Sequence, residues 1–127
     1  MNKSGIKKET FGAPVQILLN PDLQFSVGVI VSNAKAVEAG SKKVVKAGTP
    51  LVGDLDKRNV PFTVTTGTDS AKVQGILLHD VDVTDGNANG TLLIMGFVNT
   101  NRIDATTKAL IVDGVKTAIP MVKFIAG

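Results

Sequence analysis

The sequence predicts a mainly β fold: a small β-barrel or sandwich-like core, one short C-terminal helix and an N-terminal arm. Three observations carry that expectation. Short β-branched and apolar runs recur along the chain, punctuated by Gly, Pro, Asn and Asp clusters about every 8–12 residues, the spacing of small all-β domains. One pair of runs, Gly75–Val83 (GILLHDVDV) and Thr91–Val98 (TLLIMGFV), flanks Asp85–Gly90 (DGNANG), whose residues tolerate tight turns. Helical signals are confined to one segment near the C-terminus.

Taken in order, residues 1–12 are polar and basic without periodicity, and read as an arm preceding a single domain, 13–127. Val15–Leu19 (VQILL) predicts a short strand, and Asn20-Pro21-Asp22 a turn in which Pro fixes φ and Asn and Asp bond local backbone. Phe25–Ser32 (FSVGVIVS) is β-branched and predicts a strand with Gly28 at a bulge or close contact. Asn33–Gly40 has room for one helical turn, and Lys42–Lys46 predicts a strand of valines between lysines. Ala47–Pro50 turns, and Leu51 and Val52 re-enter the core. Gly53–Pro61 is a charged loop; Phe62–Thr66 (FTVTT) alternates as a half-buried strand should. After a turn at Gly67–Ser70, Val73–Val83 and Thr91–Asn99 form the central hairpin. Asp104 is a suitable N-cap for a helix over Ala105–Val112. Gly114 stops or kinks it, Val115–Ile119 adds a further turn, Pro120 ends any helix, and Met121–Ile125 (MVKFI) closes the fold as a strand.

Composition narrows the function. At 127 residues the chain is one domain with enough surface to bury for a single core. Aromatics make up only 4%, with no Trp or Tyr, so neither a stacking platform for single-stranded nucleic acid nor a sugar-binding groove is expected. Phe11, Phe25, Phe62, Phe97 and Phe124 are assigned to the core. The net charge of +3, from 14 basic and 11 acidic residues, is modest, and no stretch interleaves Lys or Arg with aromatics. Cysteine is absent, which removes disulfides and thiolate metal sites. The N-terminal MNKSGIKKETFG has no apolar stretch of signal-peptide type, and no run of about 18 apolar residues would span a membrane.

Candidate chemistry is sparse. Asp85–Gly90 matches the first half of a calcium loop, D-x-N-x-N-G, but the position for the bidentate Glu is Gly96. A plain hairpin turn is the reading preferred, with Gly90 at positive φ. Asp80 and Asp82, two apart on a strand, point to one face and form a solvated acidic strip. His79 is the only histidine, without a nucleophile motif around it, and no phosphate-binding loop occurs. No catalytic residue, cofactor or metal is expected.

Three strings, KAGTPL at Lys46–Leu51, GILLHDVDVT at Gly75–Thr84 and LLIMGFVN at Leu92–Asn99, resemble those of phage head fibre proteins. These are in turn similar to the small decoration proteins that stud tailed-phage heads, and the likeness runs from about Glu9 to Phe124. The resemblance implies a compact β-barrel-like core with a helix towards the C-terminal end. It implies a virion protein on the outer capsid surface, bound to the phage major capsid protein and to itself as a homotrimer, with neither nucleic acid nor membrane as partner. It further implies an N-terminal segment that pairs with a capsid strand edge, for which Lys7, Lys8, Thr10, Phe11, Val15 and Ile17 are the candidates. Leu110, Ile111, Val115 and Ile119 exceed what one short helix needs inside, and are the candidate oligomer interface. Two alternatives stay open: the base domain of a head fibre serving host attachment, and a small metal-binding domain. Because the chain ends at Gly127, just past the closing strand, a receptor-binding tip is not expected.

Overall fold

The computed structural model describes residues 16–127, and it is mainly β. Among the described residues nine strands occur: β1 Phe25–Val31, β2 Val37–Ala39, β3 Lys42–Val45, β4 Pro50–Val52, β5 Thr63–Val64, β6 Val73–Leu77, β7 Val81–Asp82, β8 Ala88–Asn99 and β9 Val122–Ile125. Two short helices, α1 Ala105–Lys108 and α2 Asp113–Ala118, lie between β8 and β9.

β8 is the spine. It pairs antiparallel with β1 and β6, and parallel with β9, in a sheet ordered β1-β8-β6-β4-β5. The sheet curls until Phe62, just before β5, meets the end of β1: the Phe62 amide donates to Ile30 O at 2.7 Å and the Ser32 amide to Phe62 O at 2.8 Å. That single parallel bridge joins the two edges at one end, so strand pairing does not close a barrel. β2, β3 and β7 form a second, three-stranded sheet.

The paired residues Ile76 and Leu93 enter one buried cluster, while their neighbours Leu77 and Leu92 enter another. The β6–β8 ladder is thus buried on both faces, which is why GILL and TLLI read as continuous apolar runs instead of alternating ones. The sandwich-like part of the expectation lives here.

Several boundaries differ from the sequence reading, each for an identifiable reason. Ala88, Asn89 and Gly90 are strand, not turn, because β1 supplies them with partners: Val31, Ile30 and Val29 respectively. Backbone pairing outweighs their weak β preference. The run Val73–Val83 is broken. β6 ends at Leu77, and β7 pairs with β3 in the other sheet. Asn33–Gly40, which has room for a helical turn but is short and poorly capped for one, is mostly a hairpin, with β2 against β3 and Gly40 at φ 67° in its tip. The expected helix over Ala105–Val112 stops at Lys108 and restarts at Asp113. Asp104 does cap it, accepting from the Thr106 amide at 3.2 Å. Gly114, read as a stop, is the second residue of α2, where the missing side chain lets Ser70 approach the helix. Phe25 is not in the core; it is 56% exposed, whereas Phe62 is fully buried and Phe97 and Phe124 are half-buried.

Candidate protein-docking surface

The strings KAGTPL and GILLHDVDVT form one interlocked unit. The Gly48 amide donates to Leu77 O at 2.7 Å, and the Leu77 amide to Thr49 O at 2.9 Å. Asp80, exposed in the gap between β6 and β7, accepts from the amide of buried Ala47 at 2.7 Å. The carboxylate stands where a strand neighbour would be and fixes the turn before β4. Asp80→Ala should cost about 1–3 kcal/mol, because it leaves a buried amide without an acceptor. Asp80→Asn retains an acceptor oxygen and should lose less, as urea unfolding of the two variants would show.

The acidic strip is engaged too. Asp82 accepts from the Thr84 amide at 2.9 Å and pairs with Lys42 at 3.4 Å. Its pKa is held below the ordinary value of 3.8, first by the Thr84 hydroxyl, then by the Thr84 amide and Lys42. Asp69 is also lowered, chiefly because the Thr65 hydroxyl donates to it at 2.6 Å, with the Thr66 amide adding a second donor at 2.8 Å. A carboxyl whose folded pKa lies below its unfolded one stabilises above the unfolded value, and that contribution is lost as pH falls through the folded value. Stability should therefore decline in acid below about pH 4. In Asp69→Asn the decline should be shallower, which chemical denaturation across pH 2–5 would test.

In the turn proper, Asn87 is committed to structure: its Oδ1 accepts from the Asn33 amide at 3.0 Å. Among the described residues no group of three or more His, Asp or Glu side chains stands together as a metal cluster would. Nor is any helix there long and apolar enough to cross a membrane.

The candidate contact residues separate. Lys7, Lys8, Thr10, Phe11 and Val15 lie outside the described residues. Ile17 does not offer itself to a partner: its side chain is fully buried, and its carbonyl accepts from the Asn99 amide at 2.7 Å. Residues 17–19 pair along one edge with β8, through the Leu18–Val98 bridge and the bonds of Ile17 and Leu19. The helical candidates are corrected in the same sense. Val115 and Ile119, one turn apart on α2, are core residues, and Leu110 and Ile111 are half-buried against the two clusters. α2 packs against the turn at Ser70–Lys72 and against β6, and that packing uses the apolar residues assigned to an interface.

What the sequence reading missed lies on the outer face of the sheet. Residues 17–19 line one edge of β8 near Phe97 and Asn99, and β9 lines the other, pairing from Gly96 to Asn99. Between these flanks runs a groove of about 260 Å3, with Met95, Gly96 and Phe97 as its floor, Leu23 on one wall and Pro120, Met121 and Lys123 on the other. The signal was the alternation Met95, Phe97 against Gly96, Val98, which marks two faces and not one.

No protein-family model matches the chain, and no curated protein sequence matches it.

Proposed function

We propose that this protein decorates the tailed-phage head: it binds the outer capsid surface as a homotrimer and clamps neighbouring capsid subunits, without catalysis. The observation that supports the reading is the union of the two most distinctive strings into one hydrogen-bonded unit, through Gly48, Thr49, Leu77 and the Asp80–Ala47 contact. In this reading that unit is the rigid centre from which contact surfaces are presented. A trimer engaging several identical capsid sites at once gains avidity without strong single contacts.

Co-sedimentation tests it. Purified protein should pellet with undecorated, expanded heads and saturate at a fixed stoichiometry; no saturable binding to the cognate heads would overturn it. Deleting residues 1–10 should leave the fold and oligomer intact and weaken head binding. The lysine share of that binding should fade with salt, since exposed charges are screened within about 8–10 Å. Unchanged affinity in the truncated protein would place the whole contact on the folded domain.

A further inference from the structure

Along Met95–Phe97, past the doubly buried β6–β8 ladder, β8 has one face in the core and one largely apolar face that the described residues leave partly open. Opposite Val98 and Val122, which are buried, the outward side chains form two rows across the strands. Phe25 stands across from Met95, and Met121 immediately precedes the Gly96–Val122 pair. Leu19 donates its amide to Phe97 O, and Phe97 is paired on its other side with Lys123. Of the eight large apolar side chains exposed among the described residues, five (Leu19, Leu23, Phe25, Met121 and Ile125) belong to the two segments flanking this stretch of β8. The other three lie elsewhere: Val37 on β2, Val60 and Val112 in connecting segments. An antiparallel sheet facing water ordinarily alternates apolar-in and polar-out. A contiguous apolar outer face marks a contact surface.

We infer that this face is the contact between copies of the chain. The charges on its rim favour that occupant. The β9 wall carries Lys123, which has no ion pair among the described residues, and exposed Asp22 directly precedes Leu23 of the opposite wall in the chain. The Lys123 side of one copy therefore complements the Asp22 side of the next. A head-to-tail contact of this kind closes into a ring when the rotation allows. The groove is smaller than the roughly 300–1,000 Å3 typical of small-molecule sites, so it fits inserted side chains of a neighbour better than a free ligand. The inference rests on the self-association proposed above and supplies its surface in place of the buried α2 residues. It does not depend on what the assembly binds.

Light scattering of the full chain at increasing micromolar concentrations is the test, with head binding measured separately. The wild type should be a closed oligomer. Met121→Asp and Leu23→Asp change exposed side chains and should leave the circular dichroism spectrum intact while raising the dissociation constant at least about tenfold, as loss of an apolar anchor does. Lys123→Asp should weaken assembly, and adding Asp22→Lys should restore it. A wild type that stays monomeric would overturn the inference, and so would an oligomer indifferent to both apolar variants. Oligomers that dissociate in Met121→Asp but never bind heads would uphold this surface and remove the head reading instead.

Discussion

Phe62→Ala should lower the unfolding free energy by about 3–5 kcal/mol, the range for deleting a buried aromatic ring. Domains of this size have only about 5–15 kcal/mol in total. Two features put Phe62 at the upper part of the range. Its side chain is fully buried in the cluster with Val31, Leu51, Val64 and Leu92. Its backbone makes the one β-bridge among the described residues between the β1 edge and the segment entering β5, through the bonds to Ile30 and Ser32. The ring thus holds the curled sheet where strand pairing is thinnest. Phe62→Leu preserves most of the volume and should lose less than about 1.5 kcal/mol if the site can repack. In urea, the alanine variant should shift the midpoint with an unchanged slope. A loss below about 1 kcal/mol for alanine would mean that the two edges are held together without the ring.

Phe62 also shows how far the sequence carries. Its alternating neighbours announce a half-buried strand, and the strand is there, but only Thr63 and Val64 remain in the ladder. The extent of a strand depends on its partners, and partners are set by the whole fold. The same holds at the other end of the spine. Ala88-Asn89-Gly90 has turn chemistry and is strand, because β1 arrives alongside it. Asp104 was legible as a cap since capping is local, decided within three residues. Val115 and Ile119 were not legible as core. An apolar pair one turn apart looks the same whether it faces its own sheet or another molecule. The outer face around Met95 and Phe97 was hidden for a related reason: β8 is apolar on both sides, so its pattern does not say which side has a cover.

Gly90 carries the second large effect, and its cause differs from the one the turn chemistry suggests. The residue sits within β8, paired with Val29, and is not among the positive-φ glycines; in this turn that residue is Gly86, at φ 130°. A side chain at Gly90 would meet neighbouring side chains instead, with its Cβ 2.8 Å from Val31 Cγ2, 3.0 Å from Val81 Cγ2 and 3.1 Å from Leu77 Cδ1. All three belong to one buried cluster. Gly90→Val should therefore destabilise by about 1–3 kcal/mol or more through overpacking. At Gly86 nothing lies within 4 Å of an added Cβ, so any penalty there comes from backbone strain alone. A double-mutant cycle separates the two causes. Combining Gly90→Ala with Val81→Ala should cost clearly less than the sum of the single changes, with a coupling of about 0.5 kcal/mol or more, because the second change clears space for the first. Gly86→Ala with Val81→Ala should be additive within about 0.5 kcal/mol. Additivity at both glycines would show that strand packing does not set the requirement at Gly90, and that the register of β8 against β1 and the Val81 side chain is looser than the structure places it.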